Sequence, residues 1–139
     1  MTFDDGRLIL GRDELARLVA AAHQARPREA CGLLGGRVDR GAVRLRIYPA
    51  ENAARSSSTF RIRASHIAAL ERQMVADGWS PCGCYHSHPR SAARPSPGDR
   101  SATKPAGTWW LIYSPPLRSL RAFRWDGTQF LARPIRAVP

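Results

Sequence analysis

The chain has 139 residues, of which 43% are hydrophobic. This length is enough for one domain with its own core, so we expect a single domain over residues 1–139. No apolar run approaches the ~20 residues that a membrane span needs, and residues 1–5 lack the pattern of a secretory signal peptide, so we expect a cytoplasmic protein with no membrane partner. The net charge of +11 has two interpretations: the protein binds an acidic partner, or it only has a basic surface in contact with solvent. The arginines are scattered along the chain and are not interleaved with aromatic residues as in an RNA-binding motif.

The first half of the chain alternates between strand and helix patterns. Strands are predicted at residues 8–10, 30–38 and 43–48, and helices at residues 13–25 and 65–77. Both helices carry an apolar stripe at helical spacing, whereas the third strand alternates with period two. We expect Ser65 to cap the second helix, Gly35-Gly36 to mark a turn or a close approach, and residues 60–62 to form a short extended piece.

The second half of the chain predicts further strands around one short helix. These strands cover residues 81–88, 108–113, 120–125 and 129–135. Ser96 starts a short helix that ends before Pro105, and Asp126-Gly127 forms a hairpin turn between the last two strands. The predicted fold class is therefore α/β, with a mixed β-sheet, two main helices and a short helix after the strand at 81–88.

Two of the four histidines lie one residue apart, near the end of the strand predicted at 81–88. His86 and His88 therefore point to the same face, where both imidazoles can bind one ion. Asp99 follows in the short helix, and two imidazoles with one carboxylate leave a fourth position open, as in a catalytic zinc site. Two alternatives stay open: the histidines can be ordinary hydrogen-bonded strand residues, and Ser96-x-x-Asp99 also fits a helix capping box.

A hydrolase built on such a site needs a general base that accepts a proton from the attacking water. Glu29 is the candidate because it introduces the apolar, glycine-rich strand that starts near residue 30. Partial desolvation at that position would raise the pKa of a carboxyl group towards a useful value. The alternative is a surface glutamate that merely follows a helix.

The chain has three cysteines, Cys31, Cys82 and Cys84. An odd number without a secretory signal argues against a disulfide framework. Cys82 and Cys84 share a predicted strand face with the two histidines, but four alternating residues extend over ~20 Å, which is too far for one ion. We therefore expect the cysteines to be small apolar core residues.

Three segments in this order resemble the JAMM (MPN-plus) zinc metalloprotease family in its short prokaryotic form. They are PREACGLLG from Pro27, HSHP from His86 and S-x-x-D from Ser96. The resemblance implies an MPN fold, similar to that of cytidine deaminases, with one Zn²⁺ per chain. It also implies roles for five side chains: zinc ligation by His86, His88 and Asp99, activation of water by Glu29, and stabilisation of the oxyanion by Ser96.

The same resemblance implies a peptidase or isopeptidase that hydrolyses the amide bond after the C-terminal Gly-Gly of a ubiquitin-like or sulfur-carrier protein, which would be its partner. The next predicted strand begins within ten residues of Asp99, which leaves little room for an insertion like those of eukaryotic deubiquitinases. This favours trimming of a carrier, for example release of cysteine from its C-terminus, and an acidic carrier would match the positive charge. A non-catalytic, basic MPN-fold module that binds protein or nucleic acid stays open as the alternative, whereas the spacing at residues 81–88 does not match a nucleobase deaminase.

Overall fold

In the computed structural model, which describes residues 7–139, the chain forms one eight-stranded β-sheet with three helices. Residues 1–6, which include the segment used to predict the cellular compartment, lie outside the described residues. The strands are β1 (Leu8–Gly11), β2 (Cys31–Asp39), β3 (Ala42–Ala50), β4 (Ser80–Ser87), β5 (Trp109–Ser114), β6 (Ser119–Trp125), β7 (Phe130–Arg133) and β8 (Ile135–Val138). The helices are α1 (Arg12–Ala25), α2 (Ala64–Ala76) and α3 (Pro97–Ser101).

The strand order in the sheet is β7-β6-β5-β4-β2-β3-β1-β8. β1 pairs in parallel with β3 and β8, and β4 pairs in parallel with β5, whereas the remaining pairs are antiparallel. This arrangement confirms the predicted α/β class, with a mixed sheet, two main helices and a short helix after β4. Within the described residues no helix is long and apolar enough to cross a membrane.

The two longer helices contact opposite faces of the sheet because side chains alternate along the strands. Leu34 of β2 belongs to the largest apolar cluster, together with Leu18 and Ala22 of α1. Its neighbour Leu33 instead packs against the cluster that contains Met74 of α2. We call these two surfaces of the sheet the α1 face and the α2 face.

The predicted cap of the second helix is wrong. The N-cap of α2 is Arg63, with extended backbone angles and no hydrogen bond from its side chain. Its carbonyl oxygen accepts the backbone N–H groups of His66 and Ile67, each at 2.9 Å. Helix α2 begins at Ala64, so Ser65 lies within its first turn and is not the N-cap.

The single strand predicted over residues 129–135 is also wrong. Pro134 has no N–H group to donate to a ladder, and it separates β7, which pairs with β6, from β8, which pairs with β1 at the opposite edge of the sheet. Gly35-Gly36 does not form a turn but lies within β2. The close approach is real, because a Cβ on Gly35 would lie 3.1 Å from Trp79 Cβ.

Candidate metal centre and active site

The strand β4 brings two histidine rings together on the α2 face. Tyr85 packs into the cluster of the α1 face, so strand alternation directs its neighbour His86 to the α2 face. His88 lies just beyond the end of β4, where its backbone N–H donates to the Tyr113 carbonyl at 2.8 Å. The Nε2 atoms of the two rings are 3.0 Å apart, and both rings are buried.

The helix α3 supplies the carboxylate through the geometry of its first turn. The Asp99 backbone N–H donates to Ser96 Oγ at 3.0 Å, and the Ser96 backbone N–H donates to Asp99 Oδ2 at 2.9 Å. This reciprocal pair is a capping box, with Pro97 at the start of the helix, so the predicted cap is confirmed. It turns Asp99 inwards, where the residue is 7% exposed.

The three predicted ligands converge on one point. Asp99 Oδ2 lies 3.1 Å from His86 Nε2 and 3.2 Å from His88 Nε2. Ligand atoms placed tetrahedrally at the usual Zn–N and Zn–O lengths would be about 3.4 Å apart, and the measured triangle is slightly smaller, which is compatible with one metal ion. His88 Nδ1 donates to the Ala92 carbonyl at 2.9 Å, which leaves its Nε2 lone pair free for a metal. The group is therefore able to bind a metal ion.

The electrostatics of the triad favour the ligand forms of two of its members. Burial lowers the pKa of His86, which keeps this ring neutral. Burial also acts against charge on His88, but hydrogen bonds to Asp99 and the Ala92 carbonyl outweigh it and raise the pKa of this ring. For Asp99 burial acts to raise the pKa, yet the two imidazoles outweigh it and hold the pKa well below its usual range. A neutral imidazole and an ionised carboxylate are the forms that bind metals.

Glu29 is buried beside this triad, so the alternative of a surface glutamate is wrong. Its neighbour Ala30 donates its N–H to Ser87 Oγ at 2.8 Å, and the Ser87 N–H donates back to the Ala30 carbonyl at 3.0 Å. These bonds fix the start of β2 against the end of β4. Burial raises the pKa of Glu29 to about 7, and the nearby charges of His88 and Asp99 act on it in opposite directions.

Two cavities flank the triad. The larger, of about 1030 Å³, is a groove between residues 58–62 and residues 102–108 that reaches Ser96 and Asp99. The smaller, of about 200 Å³, is lined by Glu29, His88 and Ser96. We call them the long groove and the small cavity. Four of the five predicted site residues line these two spaces, and the fifth, His86, is buried behind them against His88 and Asp99.

The aromatic surroundings of His86 were not predicted from the sequence. Phe60 stacks on the His86 ring, with centroids 4.6 Å apart, and Trp110 meets that ring edge-on at 5.5 Å. The predicted extended piece at residues 60–62 pairs with no strand of the sheet, and its first residue forms part of the wall around the triad. These rings restrict the orientation of the imidazole and exclude water from one of its faces.

Lys104, the only lysine of the chain, ties α3 to the sheet. Its Nζ donates to the Asp99 carbonyl at 2.8 Å and lies 4.0 Å from the Trp125 ring and 5.0 Å from the Phe130 ring. A cation above aromatic faces is attracted by their quadrupoles, and a cation at the end of a helix stabilises its carbonyl groups. A single lysine among so many arginines was the one sequence signal that pointed to this residue.

The three cysteines are free. Cys31 is buried in the core, and Cys82 packs against the cluster of the α1 face. Burial raises the pKa of Cys31 to about 11 and that of Cys82 to about 12. The core prediction is confirmed for Cys31, whereas Cys82 and Cys84 are half-buried and both line the wall of the long groove.

Comparison with known proteins identifies a family and several relatives. Residues 12–126 match the family described as prokaryotic homologs of the JAB domain. The chain is 31% identical to the CysO-cysteine peptidase of Mycobacterium tuberculosis over 135 residues, which are 94% of this chain and 91% of that protein. It is 30% identical to the desampylase of Haloferax volcanii over 129 residues, which are 89% of this chain and 91% of that protein.

Solved structures show the same fold. The solution structure of protein DSY2949 from Desulfitobacterium hafniense superposes with a TM-score of 0.84 at 32% identity, over 94% of this chain and 92% of that one. A JAB1/MPN domain protein from Archaeoglobus fulgidus superposes with a TM-score of 0.58 at 22% identity, over 94% of this chain and 98% of that one. The second likeness concerns the fold alone.

Proposed function

Because the chain belongs to the prokaryotic JAB domain family, we propose that it is a zinc-dependent peptidase that hydrolyses the amide bond after the C-terminal Gly-Gly of a ubiquitin-like or sulfur-carrier protein. The observation that carries this proposal is the convergence of His86, His88 and Asp99 next to the buried carboxyl group of Glu29. Relatives named as a CysO-cysteine peptidase and a desampylase support a hydrolase.

The proposed cofactor is one Zn²⁺ per chain, held by His86, His88 and Asp99. Two imidazoles and one carboxylate are a frequent ligand set of catalytic zinc in proteins. Such an ion supplies a Lewis acid that polarises the scissile carbonyl and makes a water molecule acidic near neutral pH. The buried Asp99 carboxylate and the neutral His86 ring need no large rearrangement to accept it.

Glu29 is the proposed proton shuttle of the reaction. A pKa raised to about 7 by burial lets one carboxyl group accept a proton from the attacking water and then return it to the leaving nitrogen near neutral pH. The second transfer matters because an amine leaves poorly unless it is protonated. The hydrogen bonds between Ala30 and Ser87 hold the backbone next to Glu29 in place, which supports a fixed distance to the reacting groups.

Ser96 is the proposed stabiliser of the oxyanion that forms when water adds to the carbonyl. Its Oγ accepts a hydrogen bond from the Asp99 N–H, and this leaves the hydroxyl proton available to donate to the substrate. The capping role and the catalytic role are therefore compatible in one side chain. Ser96 also borders both the long groove and the small cavity.

The long groove is the proposed site of the extended Gly-Gly tail. In the segment that forms one wall, the Arg61 N–H donates to Asn52 Oδ1 at 3.1 Å and the Arg61 carbonyl accepts from Ala53 at 2.7 Å. In an extended chain the backbone groups of Phe60 and Ile62 then face the opposite side. Such an edge supports binding of the tail by strand addition. A Gly-Gly tail has no side chains, so its backbone can approach Ser96 and the buried Asp99 where the groove ends.

Intact-mass spectrometry tests the proposed function. The zinc-loaded protein is incubated with a ubiquitin-fold carrier whose Gly-Gly terminus is extended by one residue, and with a matched carrier that ends in Val-Val before that residue. We expect a product that ends at Gly-Gly and a much slower reaction on Val-Val. Binding of the carrier without any cleavage would contradict the proposal and favour a non-catalytic binding module.

A further inference from the structure

The small cavity and the long groove meet at Ser96, on either side of the scissile bond that the proposed function requires. Ser96 and Ser58 border both spaces, whereas Glu29 and His88 border only the small cavity. When the scissile carbonyl oxygen of a substrate lies next to Ser96, the two parts of the substrate occupy different spaces. The acyl part, which precedes the scissile bond, lies in one space, and the leaving part, which follows that bond, lies in the other.

The position of Glu29 determines which part occupies which space. The group that returns the proton must lie within hydrogen-bond distance of the leaving nitrogen. Because Glu29 borders the small cavity, the leaving nitrogen and the residue attached to it lie there. The tail of the carrier then occupies the long groove, whose volume of about 1030 Å³ suits several extended residues.

The small cavity has room for a small leaving group. Its volume is about 200 Å³, below the ~300–1,000 Å³ of pockets that enclose drug-sized ligands. This space suits one amino-acid residue with a small side chain. A second folded protein joined through a lysine side chain would have to place most of its bulk outside the cavity.

A cationic side chain in the wall of the small cavity is suited to bind the negatively charged α-carboxylate of a C-terminal residue. Arg90 is the cationic side chain among the described residues that line it. It is exposed, and no hydrogen bond or ion pair of its guanidinium is found in the part of the chain described here. Arg28, by contrast, donates to the carbonyl groups of Asn52 and Ala54. A C-terminal residue carries its carboxylate on the carbon next to the leaving nitrogen, so a cation in the wall of the same cavity can pair with it.

We propose that Arg90, in the wall of the small cavity, is a specificity-determining residue that selects a leaving part consisting of one C-terminal residue by pairing with the α-carboxylate of that residue. This inference rests on the proposed function and specifies its leaving group. The planar guanidinium can bind both carboxylate oxygens. Glu29 disfavours a carboxylate on its own side of the cavity, which directs the negative charge towards Arg90.

The test compares two substrates that differ only in one charge. A carrier that ends in Gly-Gly-Ala with a free carboxylate is compared with the same carrier ending in the C-terminal amide, and kcat/KM is measured by mass spectrometry. We expect the zinc-loaded wild-type protein to prefer the free acid about fivefold, near the upper end of what an exposed ion pair contributes. The preference should decrease at high salt because the pair is partly exposed.

Variants assign this preference to one side chain. In Arg90→Gln the ratio of acid to amide should fall to about one, and Arg90→Lys should restore part of it. Arg94→Gln is the matched control, because Arg94 is exposed in the same loop but does not line the cavity, and it should keep the wild-type ratio. Equal rates on both substrates in the wild type, or a preference that survives in Arg90→Gln, would overturn this inference alone. Absence of cleavage of either substrate would overturn the proposed function as well.

Discussion

The two faces of the sheet are built from the same strands but bury different groups. The cluster of the α1 face contains thirteen buried residues, whereas the cluster against α2 contains three. The α2 face instead carries the His86 ring, which the buried Asp99 contacts. Because neighbouring residues of β2 and β4 point to opposite faces, one face can supply stability while the other holds polar groups that a fully apolar core would exclude.

The largest expected effect comes from removing the two rings of the α2 face. In His86→Ala/His88→Ala only one of the three proposed ligands remains, so we expect stoichiometric zinc and peptidase activity both to be lost. Elemental analysis and the carrier-cleavage assay measure the two quantities on one sample. Retention of one zinc per chain in this variant would exclude the triad as the metal site and would direct attention to the cysteines.

Glu29→Gln should separate chemistry from metal binding. Glutamine keeps the volume and can hydrogen-bond the attacking water, but it cannot transfer a proton, so we expect kcat to fall ~10²- to 10⁴-fold. Zinc content and the thermal midpoint should stay close to the wild type. Wild-type turnover in this variant would show that the base lies elsewhere, and loss of zinc would show that Glu29 is itself a ligand.

Ser96→Ala distinguishes the two roles of a residue that both caps α3 and faces the substrate. Loss of an oxyanion donor costs ~10² to 10³ in kcat, whereas loss of a helix cap costs ~1 kcal/mol of stability. We expect both effects together with retained zinc. The decisive measurement is kcat of the variant at a temperature well below its thermal unfolding midpoint. Full activity there would show that Ser96 only caps α3 and has no role in catalysis.

Two leucines on opposite faces of the sheet provide the smallest effect on chemistry and the sharpest contrast between the faces. Leu111 of β5 is fully buried in the cluster of the α1 face, so Leu111→Ala should lower the free energy of unfolding by ~2–5 kcal/mol without changing kcat of the folded enzyme. Leu33 is half-buried and lines the long groove, so Leu33→Ala should cost less stability and raise KM for the carrier. Denaturant unfolding and steady-state kinetics on both variants check this, and the reverse pattern would refute the division between the faces.

Much of the site could be predicted because its determinants are local in the sequence. Strand alternation places His86 opposite Tyr85, and the spacing of Ser96 and Asp99 specifies a capping box, so both features follow from a few neighbouring residues. The start of an apolar strand likewise indicated that Glu29 would be buried, as the structure confirms. The roles of these residues as ligands, base and oxyanion donor stay predictions.

The features that could not be predicted depend on contacts between distant segments. Phe60 stacks on a ring 26 positions later in the chain, and Lys104 contacts rings of β5, β6 and β7. The return of β8 to the far edge of the sheet beside β1 follows from Pro134 only in part, because a break in a strand does not specify its next partner. Periodicity indicates which face a residue occupies but not which residue it meets there.

Titration of the metal-free protein with zinc tests the central claim most directly. The protein is stripped with a strong chelator, the chelator is removed, and hydrolysis of the Gly-Gly-extended carrier is measured as zinc is added. We predict no detectable turnover without metal and a linear rise that ends at one zinc per chain, because His86, His88 and Asp99 form one site. Full turnover by the metal-free protein, or a loaded protein that leaves the carrier intact, would contradict the account.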